Sequence, residues 1–121
     1  MGTNRRYLTV EALAFFAAAL VHSGYLVPGY RHGAARIAET VLALALLAGL
    51  ALGMARPPLA RTAGLAAQIF ALLGTLVGIF TMIVGVGPQS TPDVIYHLVM
   101  VALLGWGLAA IARVPAASGA R

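Results

Sequence analysis

Residues 62–86 read TAGLAAQIFALLGTLVGIFTMIVGV, and this stretch decides the fold. A helix needs about 20 apolar residues to cross a hydrocarbon core of about 30 Å. The run meets that length and carries no charge. Within it Gly64, Ala67, Ala71, Gly74, Gly78, Thr81 and Gly85 recur at spacings of three and four. On a helix that rhythm puts them on one face, with Ile69, Leu72, Leu76, Ile79 and Ile83 opposite. Small residues let backbones approach closely, which drives helix association in lipid. Gly64, Ala67, Ala71, Gly74, Gly78 and Gly85 therefore form a helix-packing face. Its first use is packing within the bundle; its second is a homodimer seam.

Three further stretches reach the same length: residues 8–27, 37–55 and 92–112. Each is helical by necessity, because lipid cannot satisfy backbone polar groups. Pro28-Gly29, Pro57-Pro58 and the segment 85–92 punctuate them. Shorter small faces recur on the second span (Ala45, Gly49, Gly53) and the fourth (Ala102, Gly105, Ala109, Ala112). The expected fold is an all-α bundle of four transmembrane helices in one domain.

Composition agrees. The chain has 121 residues, 61% hydrophobic and 9% charged. A soluble domain carries about 25% charged residues. So small a chain cannot hide that much apolar surface in its own interior. The net charge of +5 comes from arginines scattered at the ends of apolar runs, which excludes a nucleic-acid-binding face. No cysteine is present, so disulfides and thiolate chemistry are excluded.

Arginine placement sets the orientation. With the N-terminus inside, Arg5, Arg6, Arg56, Arg61, Arg113 and Arg121 are cytoplasmic, and only Arg31 and Arg36 lie outside. The positive-inside rule favours this arrangement, with both termini cytoplasmic. The expected location is the bacterial cytoplasmic (inner) membrane. Arg5-Arg6 before an apolar run also resembles a signal peptide, but the run is longer than the usual 7–15 residues, roughly, and contains Glu11. It is read as a retained span.

Ionisable groups inside a span are expensive and mark function. His22 lies near the outer end of the first span, Glu39 near the start of the second, and His97 just after the start of the fourth. At about 1.5 Å per residue all three sit roughly 6–8 Å below the outer helix ends. Thr81 falls in the same layer, and Tyr96 adjoins it. The fourth helix is well marked, with Ser90 or Thr91 as cap, Pro92 in the first turn and Asp93 at the positive N-terminus. Two histidines at matched depth suit axial ligation of haem b. His22, His97 and Glu39 together suit a divalent metal. Glu39, His97 and Tyr96 suit a proton or quinone site. The structural alternative pairs Glu39 with Arg36, three residues away. Elsewhere, His32 is expected to be solvated in an outer loop. Glu11 is expected to reach Arg5, Arg6 or water, Gln68 to bond across helices, and Trp106 to pack.

The segments LVHSGYLVPGY (20–30), RIAETVLALALLAGL (36–50), GLAAQIFALLGTLVGIFT (64–81) and GVGPQSTPDVIYH (85–97) together resemble small four-span bacterial membrane proteins without an assigned activity. The resemblance covers nearly the whole chain and implies a fold but no catalytic role. The leading expectation is a non-enzymatic component of a membrane assembly, in contact with lipid and with a second copy or a larger complex. The alternatives are a redox or ligand-binding bundle using the polar layer, and a small oligomeric transporter.

Overall fold

A computed structural model describes residues 2–115. Four helices account for most of them: α1 (Thr3–His22), α2 (Gly33–Ala55), α3 (Ala60–Ile83) and α4 (Thr91–Ala112). No strand occurs among the described residues. Each helix packs on the next in sequence and α1 closes against α4, which makes a ring. Contact across the ring runs only between α1 and α3. Short connections give neighbours of opposite direction, as in an up-and-down bundle.

Local chemistry explains the helix ends. α1 stops where Gly24 takes a left-handed conformation (φ 80°), and Gly85 (φ 81°) does the same after α3. Only glycine adopts that conformation without strain, and it turns the chain out of a helix. α2 ends at Ala55, and the non-helical Arg56 leads into Pro57-Pro58, which lie in a single 3-10 turn, Pro57–Leu59. α4 opens on a capping box: the Ser90 side chain accepts from the Asp93 backbone, and the Asp93 carboxylate accepts from the Ser90 backbone.

These ends correct several expected boundaries. The first helix begins at Thr3 and ends at His22 instead of covering residues 8–27, so His22 is its last residue. Gly85 lies beyond α3 and drops out of the packing face. Arg121, counted in the orientation argument, lies outside the described residues.

Three segments are long and apolar enough to cross a membrane: Gly33–Ala55, Pro57–Ile83 and Thr91–Ala112. α1 is the least apolar helix, since it carries Arg5, Arg6, Glu11 and His22. Only 22–28% of each apolar window is buried inside the bundle. Leu13, Ile37, Phe80 and Trp106 are among many large apolar side chains left on the exterior. So much exposed apolar surface belongs against lipid or protein. Trp106, expected to pack, is 70% exposed.

Leu8, Ala12, Phe15, Leu42, Leu46, Met100 and Leu104 fill the middle of the bundle. The small face of α3 turns inward. A Cβ at Gly74 would press on Leu42 of α2, and one at Gly78 on His97 of α4. Below the apolar middle, Glu11 is fully buried and accepts from Gln68 Nε2 at 2.5 Å. Gln68 thus bonds across helices as expected, whereas Glu11 reaches neither arginine nor water.

Candidate functional site

The polar layer lies at the end of the bundle formed by the connections 23–32 and 84–90. His22 comes last on α1, and its carbonyl accepts from the His32 backbone at 2.9 Å, which ties the first connection closed. Its ring then bridges two other helices. Nδ1 faces the Glu39 carboxylate of α2 at 2.8 and 2.9 Å. Nε2 faces Asp93 Oδ1 of α4 at 3.0 Å. All three side chains are buried.

An imidazole between two carboxylates can donate to both only as the cation. With both carboxylates ionised the trio then carries one net negative charge. Burial of charge is tolerated only when it is paired and hydrogen-bonded. Asp93 has the further support of the α4 N-terminus: its Oδ2 accepts from the Ser90 backbone at 3.1 Å and from the Ser90 hydroxyl.

His97 and Tyr96 occupy the next turn of α4. His97 Nδ1–H donates to the Asp93 carbonyl at 2.8 Å, which leaves Nε2 aimed toward Gly78 of α3. Tyr96 stands edge-on to Phe15 and to His97, with ring centroids 6.4 and 5.4 Å away. Its hydroxyl is buried without a hydrogen-bond partner. Such an orphan is uncommon and calls for an explanation.

Beside these residues a cavity of about 370 Å³ opens between α2 and α3. Glu39, Thr75, Thr81, Tyr96 and His97 supply most of its polar lining. Thr75 and Thr81 donate to carbonyls of their own helix, so their oxygens remain able to accept. Ala34, Ala38 and Val77, all exposed on the bundle exterior, line the same cavity. A ligand dissolved among apolar chains would meet this opening sideways.

Of the residues singled out from sequence, His22 and Glu39 are in direct contact. Glu39, Tyr96, His97 and Thr81 share one cavity wall. His97 is not bonded to either His22 or Glu39. Glu39 pairs with His22 instead of the exposed Arg36. His32, expected to be solvated, caps α2 by accepting from the Ala35 backbone at 3.1 Å, and also lines the cavity. Asp93 was read from sequence only as a helix-start residue, yet it completes the bridge. The signal available was its place in the capping box, one helical turn before His97.

The donor set does not fit haem b or a divalent metal. Axial ligation needs a free nitrogen on each of two imidazoles. Both nitrogens of His22 are held by carboxylates, and His97 offers only Nε2. Among the described residues no group of three or more His, Cys, Asp or Glu is placed to hold a metal ion.

No protein-family model, curated protein or solved structure matches this chain. Its chemistry is therefore read from the site alone. An acceptor nitrogen, a carboxyl and the ring of Tyr96 line a largely apolar hollow. That combination suits a small apolar body carrying one or two hydrogen-bonding groups.

Proposed function

We propose that this chain is a four-span protein of the bacterial cytoplasmic membrane that binds a lipophilic carbonyl compound of the quinone class. The cavity between α2 and α3 carries the reading: about 370 Å³, apolar at its mouth, with Glu39 and His97 in its lining. Ligand pockets begin at about 300 Å³ and place a few polar groups on an apolar wall. A quinone ring has an apolar body with a carbonyl at each side, and its reduced form carries hydroxyls there. His97 Nε2 accepts from a hydroxyl; a protonated Glu39 donates to a carbonyl.

Four spans with both termini cytoplasmic complete the proposal. Cross-helix hydrogen bonds made by Glu11 and His22 support α1 as a span. Glu11 bonds to Gln68 and His22 to two carboxylates, while Val10, Leu13 and Leu20 form an apolar exterior. The excess of arginine at the other end of the bundle supports the orientation.

Calorimetric titration of the purified full chain in nanodiscs with decylubiquinone and with menadione tests the function. We expect saturable binding of at least one probe. Ala38→Trp, which fills the mouth of the cavity without touching His22 or Asp93, should weaken it by at least about tenfold, or about 1.4 kcal/mol. Failure of both probes to bind refutes the quinone reading. A second reading, an accessory subunit in which the bridge on His22 is a staple across α1, α2 and α4, then takes its place. The large apolar exterior favours that alternative.

A further inference from the structure

We propose that the groove between α1 and α4 binds a phosphatidylethanolamine molecule, its headgroup seated beside Arg31 and Asp93. This site goes beyond the quinone-class reading and does not rest on it. α1 and α4 make the slightest contact of the four neighbouring helix pairs. Toward the connection end they leave a hollow of about 400 Å³. Ala14, Ala17, Ala18 and Val21 line its α1 side, and Pro92 and Tyr96 its α4 side. Along α1 this lining rises about 10 Å, at about 1.5 Å per residue. Ala17 is exposed, and Ala14 and Val21 are half-buried, so the hollow opens on the apolar exterior.

The lining changes character at the connection end. His22, Tyr30 and Asp93 line both the hollow and a surface depression of about 220 Å³. Arg31, His32, Gln89 and Ser90 join them in the depression. The depression also borders the quinone cavity, at His32 and Pro88. An apolar slot that runs into a polar recess matches an acyl chain below a lipid headgroup.

Both signs of charge face the recess. Arg31 is exposed and makes no ion pair among the described residues. A guanidinium holds a phosphate through paired N–H donors. His32 Nδ1 accepts from the Ala35 backbone, so the neutral ring keeps its proton on Nε2 as a further donor. These residues are held in place. The His32 backbone donates to the His22 carbonyl at 2.9 Å, and a Cβ at Gly24 would lie 3.1 Å from Arg31 Cβ. Asp93 supplies the negative charge. A carboxylate has about four acceptor positions. His22 uses one of them, and the Ser90 backbone and hydroxyl use two, which leaves one for an incoming donor.

This charge pattern selects among headgroups. His22, Glu39 and Asp93 together carry one negative charge, and Arg31 balances it. A zwitterion fits such a recess, with its phosphate on Arg31 and its ammonium on Asp93. The ammonium of phosphatidylethanolamine is primary and donates as a lysine does. The trimethylammonium of phosphatidylcholine has no N–H to donate. Phosphatidylglycerol brings a phosphate but no cation for Asp93.

Native mass spectrometry of the delipidated full chain tests the site, by titration in detergent with the dioleoyl forms of these three lipids. Phosphatidylethanolamine should bind at least about tenfold more tightly than either of the others. Arg31→Gln should erase that preference. Arg36→Gln, on the exposed side of α2 and outside the depression, should keep it. Ala17→Phe fills the hollow from its open side and should weaken phosphatidylethanolamine by at least about tenfold. All three substituted positions are exposed, where replacements are well tolerated, so the variants report on binding and not on folding. Absence of binding, equal affinity for the three lipids, or tighter binding of either other lipid overturns the proposal. So does an equal loss of preference in Arg31→Gln and Arg36→Gln, or unchanged binding in Ala17→Phe. The titration contains no quinone, so its result stands whether or not the quinone reading does.

Discussion

His22 ties three helices through one ring, and its removal should be costly. His22→Ala leaves the Glu39 and Asp93 carboxylates near each other, buried, with no cation between them. Breaking a buried ion pair by removing one partner costs about 3–5 kcal/mol. We expect that range for His22→Ala in equilibrium unfolding in mixed micelles. A loss under about 1 kcal/mol, the size of an exposed pair, contradicts the bridge. His22 and Glu39 fall at one height in the sequence, because helix rise converts residue number into depth. Asp93 is not marked as their partner by height, which says nothing about which helices are adjacent. Arg36 was nearer to Glu39 along the chain, but it lies on the exposed side of α2.

Among the helices, small residues have opposite consequences according to which side they face. A Cβ at Gly49 would lie 2.7 Å from Ala67 Cβ and 3.0 Å from the Ala63 carbonyl, so backbones would have to part. Overpacking of this kind costs about 1–3 kcal/mol, and Gly49→Ala should destabilise by that amount. Gly105 has nothing within 4 Å, and Gly105→Ala should be neutral or stabilise by up to about 1 kcal/mol through helix propensity. Unfolding of the two variants in the same micelles checks the contrast; equal effects contradict the assigned faces. The inward faces of α2 and α3 were readable as runs of small residues. On α4 the same rule selected Ala102, Gly105 and Ala109, yet Ala102 and Ala109 are exposed. The face that packs carries Asp93, His97, Met100, Leu104, Gly107 and Ile111. Gly107 sits where an added Cβ would collide with Glu11 and Gln68. Small side chains allow close packing but do not demand it, so spacing alone cannot choose between two candidate faces. The start of α4 was legible for a different reason: a capping box is complete within a few consecutive residues.

For the molecule as a whole, the proposed topology makes a labelling experiment direct, because the chain has no cysteine of its own. With both termini cytoplasmic, Gly29→Cys lies in an outer connection and Pro58→Cys in an inner one. A membrane-impermeant maleimide applied to intact cells should modify the first and spare the second until the membrane is opened. The reverse pattern overturns the orientation.

The number of helices and their approximate places, and the apolar exterior, could be read from the chain alone. Each depends on the hydropathy and turn chemistry of neighbouring residues. The bridge from Glu39 through His22 to Asp93, the hollow beside it and the inward turn of Gly107 arise only when α1 closes the ring against α4. They join residues from separate helices, and which helices become neighbours is settled by the fit of side chains across the bundle, which no local pattern records.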